Sequence, residues 1–290
     1  MSRILVAGAS GLLGSAVVRA LVAAGHQVWG TTRQASRIPL IGRLGGHGIV
    51  LDALDRASVD AALERAAPDV VVHELTDLAG LDFAANRRLR IDGTAHLVGS
   101  MLDHGVTRLV AQSISWAYRP GPTPATEREP FATVPETGEP AYDAIELLER
   151  EVARIPCGVA LRYGLLYGPG TWYAPDGAQT ARARQGRIEA TTAWTSWVHV
   201  DDAVEATVRA LDWPAGPVNI VDDDPTHVDE WGPGYARAAG YRGTPRISSR
   251  APGRAASNAL ARAAGWTPRH PTWRTTLTDP AILAREPDPS

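Results

Sequence analysis

Residues 3–14 read RILVAGASGLLG, from Arg3 to Gly14, and this stretch decides the fold. Arg3–Ala7 is a short apolar run suited to a buried central strand. From Leu12 to Ala24 apolar residues fall at 12, 13, 17, 18, 21 and 22, a helical period, and Gly25 follows as a cap. Between strand and helix lies Gly8-Ala9-Ser10-Gly11-Leu12-Leu13-Gly14. In such a loop Gly8 permits the tight turn, Gly11 lets the backbone approach a pyrophosphate, and Gly14 lets the helix pack closely on the sheet. The helix N-terminus offers free N–H groups to phosphate. The alternative is a tight strand–helix turn without a ligand.

Strand and helix patterns alternate beyond this unit, the mark of a parallel sheet with helices on both faces. Further strands are expected at Gln27–Gly30, Gly48–Leu51, Asp69–His73, Thr107–Gln112, Cys157–Tyr163 and Gly216–Val221, and helices at Ala57–Ala67, Arg88–His104, Ala141–Ile155 and Asp201–Leu211. The pattern predicts an α/β, Rossmann-type doubly wound parallel sheet with a small C-terminal substrate lobe. The dinucleotide-binding domain spans mainly 1–163. The lobe spans mainly 164–290, with 197–222 returning to the Rossmann core. Pro120–Pro140 reads as a long loop and Glu286–Ser290 as a frayed end.

The second expected strand ends Trp29-Gly30-Thr31-Thr32-Arg33. An NAD-selective site would place an acidic residue here for the ribose 2′-hydroxyl. Two hydroxyls and Arg33 suit a 2′-phosphate, so NADP(H) is expected ahead of NAD(H). The other reading of Arg33 is a solvated surface arginine.

Composition removes several classes. A net charge of −3 over 290 residues gives no electrostatic case for nucleic acid or an anionic membrane as partner. No run of about 18 apolar residues spans a bilayer, and no signal peptide opens the chain. The single cysteine, Cys157, excludes an internal disulfide and fits a reducing cytoplasm. The eight histidines have no metal-ligand spacing, so no metal is expected. Asp222-Asp223-Asp224 reads as a solvated loop, since three adjacent carboxylates in one turn cannot all face one ion. All 29 basic residues are arginine; the chain contains no lysine.

With GASGLLG at 8–14, LDALD at 51–55, IDGTAHL at 91–97, LVAQSISWAY at 109–118, ALRYGLLYGPG at 160–170, WVHVDDAVEA at 197–206, VNIVDDD at 218–224 and GWTPRHPTW at 265–273, the chain resembles the extended short-chain dehydrogenase/reductase family, which includes NAD-dependent sugar epimerases and dehydratases. The resemblance implies that Asp52 and Ala53 approach the adenine. Leu75 would lie along the adenosine, and Tyr163 and Gly164 near the nicotinamide. Gly168–Trp172 and Trp194–His199 would line the substrate pocket. It also implies a homodimer formed through the helices carrying 88–104 and 141–155.

The departures matter more. The family's redox chemistry uses a Tyr-x-x-x-Lys pair with a nearby Ser or Thr, the lysine lowering the tyrosine pKa and holding the ribose. Without lysine no such pair exists here. Alignment on Glu149 puts Ala141 and Ile145 at the two positions; alignment on Tyr142 puts Glu146 at the second. The serine slot is filled by Ile114, flanked by Ser113 and Ser115, which either polarise a substrate oxygen or are satisfied by backbone. Glu74, after His73, is a candidate general base; its other reading is an ion pair with one of the arginines of helix 88–104, such as Arg90, which occupies a usual asparagine slot. His199 is a further candidate acid or base, with a structural role as the alternative. Tyr118, Trp172, Trp194 and Trp197 are candidates to stack a flat substrate, or to pack the lobe.

These residues imply an NADP(H)-dependent oxidoreductase or epimerase-like enzyme acting on a small molecule of specialised metabolism, by carbonyl reduction or epimerisation. Ser113, Ser115 or Tyr142 would polarise the carbonyl. Two alternatives stay open: a non-redox isomerase, cyclase or lyase with the nucleotide structural or absent, and a non-catalytic nucleotide sensor.

Overall fold

The computed structural model describes residues 1–77, 82–133 and 141–283. Part of the Pro120–Pro140 loop, residues 134–140, and the Glu286–Ser290 tail lie outside that set. The strands are β1 (Arg3–Ala7), β2 (Gln27–Thr32), β3 (His47–Val50), β4 (Val70–His73), β5 (Arg108–Ile114), β6 (Cys157–Tyr163), β7 (Leu165–Tyr167), β8 (Arg187–Thr192), β9 (Trp194–Thr195), β10 (Trp197–His199), β11 (Gly216–Ile220), β12 (Thr226–His227) and β13 (Arg246–Ala251). Seven form one sheet in the order β11-β6-β5-β4-β1-β2-β3. The chain steps outward from β1 to β3, returns to β4 and proceeds the other way, which is the doubly wound pattern. The pairs from β3 through β2, β1 and β4 to β5 run parallel.

The chain divides into two compact units. Residues 1–113, 133–161 and 204–218 form the first; residues 114–132, 162–203 and 219–290 form the second.

In the first unit the helices are α1 (Leu12–Ala23), α2 (Ile38–Arg43), α3 (Arg56–Ala66), α4 (Phe83–Arg88), α5 (Thr94–Asp103) and α6 (Ala141–Val152). Leu5, Val59, Leu63, Val71, Leu97 and Leu109 meet in one fully buried apolar cluster. The Asp55 side chain accepts from the Ala57 N–H and caps α3, one residue earlier than the apolar period suggests. The single helix expected over 88–104 is instead three segments: α4, a π-helical turn at Leu89–Gly93, and α5. Local propensity does not signal a π turn. Here the turn buries Leu89, Arg90 and Gly93 together, and a Cβ on Gly93 would lie 3.0 Å from the Leu89 side chain.

The second unit is held by aromatic packing. Tyr173 meets Trp197 edge-on with ring centroids 4.8 Å apart, and Trp197 meets Trp231 the same way at 5.1 Å. Its strands pair in short sheets: β8 with β13, β7 with β10 and β9 with β12. Among the described residues no helix is long and apolar enough to cross a membrane.

Candidate functional site

The first unit builds a phosphate loop at the carboxyl end of β1. Gly8 turns the chain with φ +89°, a region L side chains avoid, and a Cβ there would lie 2.6 Å from the Glu74 carbonyl oxygen. A Cβ on Gly14 would collide with the Gly8 carbonyl oxygen, so α1 reaches the loop only through glycine. The Gly11 N–H donates to the Gly8 carbonyl at 3.0 Å. No side chain caps α1, whose first residues are Leu12 and Leu13. An uncapped twelve-residue helix beginning at a glycine turn fits a pyrophosphate.

The end of β2 closes over this loop. The Gly8 N–H donates to Thr31 Oγ1 at 3.3 Å, and Ser10 Oγ donates to Thr32 Oγ1 at 3.1 Å. Arg33 is half-exposed and ion-paired to Asp77 at 3.0 Å. Arg37, a residue that sequence reasoning misses, donates to the Ser10 carbonyl at 3.3 Å. Its spacing of one helical turn after Arg33 is the available signal. Two guanidinium groups and three hydroxyls thus gather here, and the five residues Trp29–Arg33 contain no carboxylate.

Asp52 is engaged locally: its side chain accepts from the Leu54 N–H at 3.0 Å, while its own N–H donates to Ser58 Oγ. Ala53 is buried, and its carbonyl lies 3.0 Å from a ring nitrogen of His96. The Leu75 N–H donates to His73 Nδ1 at 3.2 Å, and His73 Nε2 lies 2.9 Å from Thr94 Oγ1. Burial, followed by the nearby positive charge of Arg90, pushes the His73 pKa down to about 4, so it stays neutral. Glu74 is buried. Of the arginines of helix 88–104, Arg90 forms no ion pair with Glu74. Arg90 is 7% exposed and has neither hydrogen bond nor ion pair to a described residue; burial alone lowers its pKa, to about 10.

Helix α6 carries the positions where Tyr and Lys are missing. Ile145 is fully buried and Tyr142 nearly so. Ser113 Oγ donates to Glu149 Oε1 at 2.6 Å, so its hydroxyl is satisfied by a carboxylate rather than by backbone.

In the second unit Ser115 is fully buried. Its N–H donates to the Tyr163 carbonyl at 2.9 Å, and its Oγ has no partner among the described residues. Tyr163 is buried, and a Cβ on Gly164 would lie 2.6 Å from the Ser196 carbonyl oxygen. Tyr118 lies inside this unit. Its Oη donates to Asn219 Oδ1 at 2.7 Å and accepts from Arg162 at 2.6 Å, and burial pushes its pKa up to about 12. Trp197 is fully buried, Trp172 packs against the aromatic core, and Trp194 is 42% exposed with its ring edge-on to His227. A cavity of about 370 Å³ is lined by Gly168, Pro169, Gly170, Tyr173 and Thr276.

Two acidic or histidine features differ from expectation. The run 222–224 is not a solvated loop. Asp222 is buried and its pKa is pushed up to about 8 by desolvation, whereas Asp223 turns to Arg262 and Asp224 to Arg274. Histidines remote in sequence also converge: His199 stacks on His270 at 3.7 Å, and Asp201 completes a group with ligand atoms within 4.8 Å of one another. Local spacing could not reveal this. The parallel rings do not direct both lone pairs at one point, and Asp202 accepts from the His270 ring at 3.2 Å, so the group is tied into the fold.

Known proteins match this arrangement. The model of the NAD dependent epimerase/dehydratase family matches residues 4–221. A Streptomyces protein named 3-diazoavenalumate denitrifying reductase is 43% identical over 94% of this chain and 98% of its own length. The probable UDP-glucuronate 4-epimerase of Rhizobium meliloti is 27% identical over 76% of this chain and 71% of its own. Among solved structures, UDP-glucose 4-epimerase of Thermus thermophilus in complex with NAD shares the fold with a TM-score of 0.75 at 23% identity, covering 92% of this chain and 94% of that one.

Proposed function

This chain belongs to the NAD dependent epimerase/dehydratase family, and within it we propose that it is an NADP(H)-dependent reductase that removes a diazo group from a small carboxylate as dinitrogen. The observation that carries the reading is the absence of lysine, and with it the Tyr-x-x-x-Lys pair, in a chain 43% identical to a denitrifying reductase over 94% of its length.

Reduction of a carbonyl builds negative charge on oxygen, which a proton donor must meet. Removal of a diazonium group makes no such demand. When bound, the reduced nicotinamide supplies one hydride. On the substrate a C–H bond forms at the carbon that carried nitrogen, the C–N bond breaks, and its electron pair leaves on N2. The hydride cancels the positive charge of the diazonium group, the carboxylate keeps its own negative charge, and N2 leaves neutral. No proton is transferred at any step, so Ile145 and Ala141 at the positions of the pair cost the reaction nothing.

The chain's own residues bind and orient. The loop Gly8–Gly14, with Ser10 and the N–H groups at Leu12 and Leu13, takes the pyrophosphate. Arg33 and Arg37, with Thr32, take the 2′-phosphate. Asp52, Ala53 and Leu75 border the adenosine, and Tyr163 and Gly164 the nicotinamide. Ser115 keeps a hydroxyl without a partner among the described residues, but it is fully buried and is given no contact with substrate.

The test is isotopic. NADPH deuterated at C4 of the nicotinamide is incubated with 3-diazoavenalumate and the protein. The expected result is protein-dependent release of N2 with deuterium at the carbon that held it. Release without deuterium transfer, or at the protein-free rate, refutes the reading. For the cofactor, Arg33→Ala is expected to weaken NADPH about tenfold, as loss of one exposed charge-assisted contact, and to leave NADH unchanged. Equal losses would remove the 2′-phosphate assignment.

A further inference from the structure

Arg90 is a buried cation that the fold does not use. Its side chain is 7% exposed, and no described residue accepts a hydrogen bond from it or pairs with its charge. A guanidinium carries five N–H donors and stays protonated in proteins, so one that is largely buried without an acceptor among the described residues, yet not sealed off, is open to an acceptor from a ligand.

Its surroundings say where that ligand sits. Arg90 belongs to the π turn Leu89–Gly93. Its charge is felt at His73, the last residue of β4. His73 is level with Ala7 in the β1–β4 pairing, immediately before the Gly8 turn. That is the carboxyl edge of the sheet, where open parallel sheets bind ligands. The same π turn packs against α6, the helix whose lysine position is filled by buried Ile145. His73 is neutral and faces Thr94, so it offers Arg90 no counter-charge.

We propose that Arg90 is the oxyanion-binding residue of the substrate site, holding the carboxylate of the compound that loses its diazo group; this rests on the reaction proposed above. On that reading the cofactor's phosphates go to other groups of the first unit, the uncapped N-terminus of α1 and Arg33 with Arg37. The anion left without one is the substrate's. A planar guanidinium pairs with a carboxylate through two parallel hydrogen bonds, which would hold a flat acid in one orientation.

The test uses avenalumate, the diazo-free acid, as a probe that needs no turnover. Binding of the acid and of its methyl ester to the NADPH-loaded full-length protein is measured by calorimetry for wild type, Arg90→Met and Arg90→Lys. The acid is expected to bind Arg90→Met at least 30-fold more weakly than wild type, and Arg90→Lys by an intermediate amount. The ester should bind all three alike, NADPH affinity should stay within twofold, and Arg90→Met should melt no lower than wild type because it loses an unmatched charge. Equal weakening of acid and ester overturns the inference, as does an acid that does not bind wild type. A loss confined to NADPH assigns Arg90 to the cofactor and overturns it too. Failure of both variants to fold makes Arg90 structural and overturns it as well. If the acid binds through Arg90 while no N2 is released from the diazo compound, the reaction fails and the anion site stands.

Discussion

Replacing Gly8 by alanine isolates the contact that shapes the phosphate loop. The new Cβ would lie 2.6 Å from the Glu74 carbonyl oxygen and 3.1 Å from the Leu75 nitrogen, both backbone atoms that cannot rotate away. Reaching ordinary contact at 3.4 Å requires the loop and the exit of β4 to separate by about 0.8 Å. Two costs add. Holding an alanine at φ +89° costs roughly 1 kcal/mol, and forcing packed backbone apart adds about 1–3 kcal/mol. Gly25→Ala separates them, because Gly25 has φ +84° and nothing within 4 Å of its would-be Cβ. Denaturant unfolding of the full chain should therefore show Gly8→Ala destabilised by about 2–4 kcal/mol and Gly25→Ala by about 1 kcal/mol. NADPH affinity, read by fluorescence titration, should fall by at least about tenfold for Gly8→Ala, since a shift approaching 1 Å misplaces the donors, and stay unchanged for Gly25→Ala. If Gly8→Ala loses no more stability than Gly25→Ala, or keeps its affinity, the Glu74 contact does not set the loop.

Two further outcomes follow from the site. Ser113→Ala removes a 2.6 Å bond to Glu149; it should cost about 1–2 kcal/mol in unfolding and leave turnover within a few-fold, whereas a turnover loss of two orders of magnitude would place the hydroxyl on the substrate. His73 is held at a pKa of about 4 against an ordinary 6.5, so the unfolded chain takes up its proton first as pH falls. Its contribution is intact above pH 6.5 and is lost toward pH 4, by roughly 3 kcal/mol over the window. Urea unfolding at pH 7 and pH 5 should show a shallower pH dependence in His73→Gln; an identical dependence would refute the assignment.

Legibility in the sequence follows the range of the forces involved. The β1–loop–α1 unit is readable because strand period, glycine turn and helix period all lie within twenty residues of each other. The strands β8 and β13 are not, because RIEATT and RISSRA are polar runs whose pairing partners lie far apart in the chain. The 222–224 run looks solvated from composition, yet the Asp222 N–H donates to the Trp197 carbonyl at 2.6 Å and draws its carboxylate inside. The isolation of Arg90 has no sequence signature at all: an arginine without a partner is defined by what fails to arrive beside it.

The division of the chain has a consequence for its synthesis. Each unit is assembled from three separate segments, and the chain passes between them five times, at 113/114, 132/133, 161/162, 203/204 and 218/219. A nascent chain cannot finish the first unit before residue 218 is made, by which point two of the second unit's three segments have already been synthesised. Unit-by-unit folding in order of synthesis is therefore closed to it, and completion waits on distant strands. For the same reason no single cut between 114 and 218 leaves either unit whole.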